Sequence, residues 1–359
     1  MDWGWERSFK LERDGRAVLG LDIGLSAVNI VRLRKDNDGY VVTACGMSEI
    51  PTNGSNEGNN RKKLAHIGRA VRECLELSGA KAKYAVCGVS GPEVAVRDFE
   101  FPSIPPEEVE GAVRLEASQV CPFNTEDGTI DYQLISNDDA KVRGILVAAT
   151  NALIKSKVYL AKEASLSCAL LDVNGLALLN CFRELENPEL GQATAILNVG
   201  GSYTTLAIMS EDGWPFVRDM IHVGDDIVKE IAAEKNVPAR TVRQILSGNA
   251  DAELPGLRDS LERACKKLIA DVTETLRYYN TQKKAAPLEK IFVCGSFALA
   301  DGFIEILNSQ LSVKTVLWNP FNAMRCETGH NHKGVLQKNV LQKSGPAMAV
   351  AAGLAMRSI

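Results

Sequence analysis

Gly20-Leu21-Asp22-Ile23-Gly24-Leu25-Ser26 ends an apolar strand over 18–23 and opens a tight turn. Backbone N–H groups in such a turn can face a phosphate. The carboxylate of Asp22, at the strand end, can hold Mg²⁺ directly or through water, or can cap the turn. Two later segments echo this one. Thr194-Ala195-Ile196-Leu197-Asn198-Val199-Gly200-Gly201-Ser202-Tyr203-Thr204-Thr205 repeats strand, turn and strand, and Ile291-Phe292-Val293-Cys294-Gly295-Ser296 sets a third glycine turn behind an apolar strand. A single turn of this kind is common; three in this order specify far more.

The chain has 359 residues, 45% hydrophobic and 24% charged, enough for two or three sub-structures with their own cores. A net charge of −4 without a concentrated Lys/Arg face argues against a nucleic-acid surface. The nine cysteines are scattered, with no C-x-x-C, and read as reduced thiols packed in apolar stretches. Residues 1–16 mix acidic and basic side chains and lack a signal-peptide core, although Trp3, Trp5, Phe9 and Leu11 would suit either a packed tail or a surface anchor. The run Ala347 to Met356 is about half the ~20 residues of a membrane-spanning helix.

Apolar alternation predicts strands over 18–23, 27–34 and 40–45 around a turn at Asp36-Asn37-Asp38-Gly39. The Gly/Asn/Ser-rich stretch 52–60 reads as a loop. A helix with Leu64, Ile67, Ala70, Val71, Cys74 and Leu75 on one face follows, then a strand over 84–89. In Phe101-Pro102-Ser103-Ile104-Pro105-Pro106-Glu107-Glu108, Pro106 suits a first helical turn and the two glutamates suit its dipole. That helix, strands over 130–135 and 142–150, and a helix over 152–165 form a small inserted α/β unit. Cys168 to Val173 returns as a strand, with a helix over 176–182. From Ala193 the opening pattern restarts, with helices near 226–235, 239–247, 256–283 and 301–311, strands over 291–294 and 313–317, and a last helix over 346–357. Cys326, His330 and His332 have metal-like spacing but no fourth partner, so 326–343 reads as a solvated insertion. His66 and His222 lack neighbouring catalytic partners.

Over residues 17–357 the chain resembles the PilM family of type IV pilus assembly, actin-like proteins related to the cell-division protein FtsA. The resemblance is carried by Leu19 to Ser26, the Phe101-Pro102…Ile104-Pro105…Glu107 lead-in, Arg114-Leu115-Glu116, Pro122-Phe123 and Asp131-Tyr132. Val147-Ala148-Ala149, Leu171-Asp172-Val173…Ala177-Leu178, Asn319-Pro320-Phe321 and Gly353-Leu354-Ala355-Met356-Arg357 extend it. It implies an α/β, two-lobed actin-like ATPase fold of duplicated ribonuclease H-like domains, with an inserted α/β subdomain in lobe 1. The expected parts are an extension over 1–16, lobe 1 over 17–190 with the insertion at about 92–165, lobe 2 over 191–343 with a helical subdomain at about 219–285, and a C-terminal helix in 344–359 packing back on lobe 1.

The resemblance also implies a cleft for ATP and Mg²⁺ between the lobes. It assigns Asp22, Gly24 and Ser26 to the first phosphate loop, Asn198, Gly200 and Thr204 to the second, Gly295 and Ser296 to the adenosine loop, and the metal to Asp22. Several positions depart from the family. Asn29 stands where a phosphate-facing Lys is usual and Asn198 where an Asp is usual. Arg243 and Leu246 replace a Glu and a Lys toward ribose and base, and Phe297 reads as filling the base pocket. Each lost hydrogen bond to a charged group costs on the order of 1.5–3 kcal/mol, so three losses weaken the site by roughly 10³–10⁶. Nucleotide binding is therefore expected to be weak or lost and hydrolysis absent.

The implied role is a cytoplasmic scaffold, peripheral to the inner membrane, in a type IV pilus or related type II secretion complex. Its implied partner is the N-terminal cytoplasmic peptide of a PilN-like membrane protein, through which it reaches the membrane; self-association stays open. The alternatives are an active ATP-binding switch on the same fold and an FtsA-like cytoskeletal protein. FtsA normally ends in a membrane-binding helix, and this sequence stops at Ile359 behind its core helix, which favours the scaffold.

Overall fold

The computed structural model describes residues 18–50, 60–137, 141–186, 193–201, 203–210, 213–248, 254–282, 286–327 and 339–357. The leader 1–16, most of the 52–60 loop, Ser202, His330 and His332 lie outside them.

Two sheets share one strand order. In the first, β1 (Val18–Ile23), β2 (Ala27–Asp36) and β3 (Gly39–Glu49) form an antiparallel meander. Then β4 (Tyr84–Val89) and β8 (Ser167–Val173) add parallel to β1, giving β3-β2-β1-β4-β8 with β14 (Arg325–Cys326) outside β3. In the second, β9 (Ala193–Val199), β10 (Thr204–Met209) and β11 (Pro215–Met220) form the meander, and β12 (Leu288–Cys294) and β13 (Lys314–Leu317) add parallel beyond β9. The repeated order makes the molecule a duplication, with the two strand-ending turns in equivalent places.

β1 is buried on both faces, which explains why it reads as an unbroken apolar run. On one face lie α1 (Asn60–Ser78) and α3 (Asn151–Glu163), whose Ile67, Val71, Leu160 and Ala161 share a core with Leu19 and Leu21. On the other lie α4 (Asn174–Glu186) and the last helix, α9 (Ala349–Met356). The small residues of α9 bring its backbone down onto the strand. A methyl group at Gly20 would overlap the Ala351 carbonyl oxygen and sit 2.6 Å from the Ala355 nitrogen.

Between β4 and α3 the chain builds a separate three-stranded antiparallel sheet, β5 (Val94–Pro102), β7 (Lys141–Thr150) and β6 (Gly128–Asn137) in the order β5-β7-β6, with α2 (Pro106–Val120) on one face. α2 begins at Pro106 as its sequence predicts. β5 was not anticipated, because its charged residues mask the alternation. The helix over 152–165, which the sequence places in the inserted unit, packs as α3 on α1, β4 and β8.

The second lobe carries α5 (Gly224–Lys235), α6 (Ala239–Leu246), α7 (Leu257–Asn280) and α8 (Phe303–Gln310) around Ile231, Leu261, Leu268, Val272 and Phe303. α4 packs across both sheets, and Phe182 on it lies 4.5 Å from Phe292 and 5.4 Å from Trp318, ring to ring. A single apolar core therefore runs from one lobe into the other. No described helix is long and apolar enough to cross a membrane.

Candidate functional site

A cavity of about 530 Å³ opens between the lobes where β1, β9 and β12 end. Asp22, Gly24 and Ser26 line it from the first lobe, and Asn198, Gly200, Gly295 and Ser296 from the second. Thr204 does not. Its side chain is fully buried and its hydroxyl donates to the His222 carbonyl at 2.7 Å. Successive strand residues point to opposite faces, and it is Tyr203 and Thr205 that reach the cavity. Phe297 is likewise absent from it; the ring packs into the second-lobe core, edge-on to Phe303 at 4.9 Å and against Gly224. Leu246 is buried and Arg243 pairs with Asp225 at 3.0 Å.

The two turns close in the same way. Gly24 N–H donates to the Ala27 carbonyl at 2.9 Å, and Gly200 N–H to that of Tyr203 at 3.3 Å. Their tips touch, since a methyl at Gly201 would overlap the Ser26 hydroxyl. Gly295 has φ +97°, and a Cβ there would lie 2.6 Å from Asn198 Oδ1, so only glycine fits this third turn. Its N–H donates to the Pro346 carbonyl at 2.8 Å, which ties the turn to the segment leading into α9.

The charges in the cavity are fewer than the pattern implies. Asn29, almost fully buried, donates through Nδ2 to Asp22 Oδ2 at 3.1 Å and to the Ala347 carbonyl at 3.2 Å, leaving its Oδ1 without a partner. Asn174 donates to the Ser90 hydroxyl at 3.1 Å and also leaves a buried Oδ1 unpartnered. Sequence reading missed the cation. Lys157, on α3, lies in the cavity and donates to the Ile23 carbonyl at 2.8 Å. Burial pushes the Lys157 amine down from its ordinary value, with the field of Asp22 opposing the shift. Burial pushes the Asp22 carboxyl up, opposed by the Asn29 hydrogen bond and by Lys157. The available signal was helical spacing: Leu153, Lys157 and Leu160 share one face of α3 and all line the cavity.

A divalent metal does not fit these residues. The Asp22 carboxylate already accepts from the Asn29 amide and lies in the field of the Lys157 amine, and position 198 offers only a neutral amide. Among the described residues no group of three or more His, Cys, Asp or Glu side chains converges. His222 pairs with Asp271 of α7, away from the cavity, and His66 is exposed. Beneath the cleft the Asp219 carboxylate accepts from Gly91 N–H of the first lobe at 2.6 Å and from Thr205 Oγ1 at 2.5 Å. The lobes are thus latched at the base of the cavity.

A family model described as type IV pilus assembly protein PilM matches residues 20–359. Among curated proteins, the cell division protein FtsA of Pseudomonas aeruginosa is 23% identical over 257 residues, 65% of this chain and 61% of FtsA's own length. Among solved structures, a PilM-PilN type IV pilus biogenesis complex superposes with a TM-score of 0.79 at 24% identity, covering 95% of this chain and 98% of that one. The ethanolamine utilization protein EutJ from Carboxydothermus hydrogenoformans superposes with a TM-score of 0.54 at 13% identity over 94% and 88% of the two chains. The fold is the two-lobed actin-like ATPase fold.

Proposed function

Because the chain belongs to the family of type IV pilus assembly protein PilM, we propose that it is a cytosolic scaffold of an inner-membrane pilus or type II secretion complex. It docks the N-terminal cytoplasmic peptide of a PilN-like membrane protein through its first lobe. The observation that carries this reading is the state of the inserted sheet. α2 covers one face of it, and the core there, Phe99, Val109, Val113, Ala117, Val142 and Leu146, is ringed by half-buried apolar side chains, among them Phe101, Ile104 and Tyr132. Incompletely covered apolar rims of this kind suit a peptide ligand. The test is fluorescence-anisotropy titration of such a peptide. Ile104→Asp is expected to weaken binding by about tenfold, the ~1.4 kcal/mol of one apolar contact; unchanged affinity refutes the placement.

The cleft keeps the form of a nucleotide site without hydrolytic equipment. Binding of Mg·ATP is weak or lost, since Asn29 and Asn198 are neutral, and the chain acts by binding rather than catalysis. Turnover of ATP by the purified protein, abolished by Asp22→Ala, would refute this and restore an ATP-driven switch.

A further inference from the structure

We propose that Lys157 stands in for a divalent cation in this cleft, so that the cleft accepts a nucleotide polyphosphate free of metal in preference to its magnesium complex. The inference rests on reading the cavity as a nucleotide cleft. It starts from a rearrangement of charge. Asn29 and Asn198, which line the cavity beside the first two turns, are neutral amides. Within the three turns Asp22 carries the charge, and the cation of the cavity, Lys157, comes from a different element, the middle of α3.

Lys157 is held where it is from several sides. Leu153 and Leu160, one turn before and one after, line the same wall, and the Ile23 carbonyl fixes the amine beside the first turn at 2.8 Å. Asn29 donates to the Asp22 carboxylate at 3.1 Å. Any metal ion drawn to Asp22 would enter the field of the Lys157 amine, of like sign, in surroundings where charges are poorly screened. A polyphosphate meets the opposite situation. An ammonium has three donors, and the Ile23 carbonyl takes one. The remaining donors serve phosphate oxygens without any ion between. Glu93, the other carboxylate of the cavity, lines it together with Ser90. The unpartnered Oδ1 atoms of Asn29 and Asn174 are acceptors, suited to water or to the hydroxyls of a sugar.

The test is calorimetric titration of the whole protein with ADP and with ATP, each in excess EDTA and in excess Mg²⁺. It is run on the native sequence, Lys157→Met and Lys157→Arg, with circular dichroism to confirm folding. The native protein is expected to bind about tenfold more tightly in EDTA than in Mg²⁺. Lys157→Met should lose that binding by tenfold or more, and Lys157→Arg, which keeps the charge, should retain it. Binding that requires Mg²⁺, or a methionine variant that binds as the native protein does, overturns the inference while leaving the nucleotide cleft intact. Absence of heat with either nucleotide in both buffers overturns the inference together with the nucleotide reading of the cavity.

Discussion

Replacing Gly20 with alanine adds one methyl group at the point where α9 rests on β1. The new carbon would overlap the Ala351 carbonyl oxygen and lie 2.6 Å from the Ala355 nitrogen, both backbone atoms that cannot rotate away. Restoring ordinary contact at ~3.4 Å or more with both atoms means moving the helix by more than an ångström. A gap of ~1 Å already forfeits about half of each dispersion contact it opens. The helix places Val350, Ala351, Ala352, Leu354 and Ala355 in the core, so the loss is shared by many atom pairs. Overpacking of this kind costs typically 1–3 kcal/mol, and the backbone-on-backbone geometry puts Gly20→Ala near the top, at about 3 kcal/mol. At a urea dependence of ~3 kcal/mol/M the midpoint falls by about 1 M. Gly111→Ala is the control: Gly111 is exposed inside α2 with nothing near its missing Cβ, and it should gain about 0.5–1 kcal/mol. A Gly20→Ala midpoint close to native would refute the close packing of α9 on β1.

Arg357 pairs with buried Asp172 at 2.7 Å, so Arg357→Ala strands a buried carboxylate and should cost about 3–5 kcal/mol, read by thermal unfolding. Burial pushes the Glu184 carboxyl up, but hydrogen bonds from Lys35 and Tyr40 outweigh it and hold the group below its ordinary 4.5. The unfolded chain therefore takes up this proton first, and the stabilisation, complete above the ordinary value, is lost as pH falls through the lowered one. Glu184→Gln should flatten that acid limb of the stability profile; an unaltered limb would count against the cluster. Hydrogen bonding from Cys87 pulls the Cys168 thiol down although burial opposes it, whereas burial pushes Cys45, Cys74 and Cys265 up to about 12. Iodoacetamide on the native protein should therefore label Cys168 well before those three by mass spectrometry, and equal rates would refute the assignment.

What the sequence makes legible is what is local. Pro106, two glutamates and a Val109/Val113/Ala117 stripe suffice to place α2, and the alternation of β1 to β3 suffices for the first meander. Three glycine turns point to one cavity because each directly follows its strand. Residues whose partners are distant in the chain stay hidden. Lys157 meets Ile23 across 134 residues and Asp219 meets Gly91 across 128, and no window of sequence holds both members. Thr204 fails for a different reason. A strand inverts its faces at every residue, so a motif matched one position out names a core hydroxyl instead of Thr205 beside it. Phe297 fails because size alone does not say whether a ring turns toward the cleft or toward Phe303.

The placement of α9 also bears on the order in which the chain can fold as it is synthesised. The second sheet draws all its strands, and the helices α5 to α8, from 193–317. Five of the first sheet's strands, β1 to β4 and β8, are made earlier, yet Gly20, Val31 and Leu178 wait for a cover that lies more than 300 residues beyond Gly20. Loop closure on that scale comes late, and exposed apolar strands in the interval invite mispairing. The half that leaves the ribosome first is the half that finishes last, and a chain halted short of α9 would present β1 as an open sticky face.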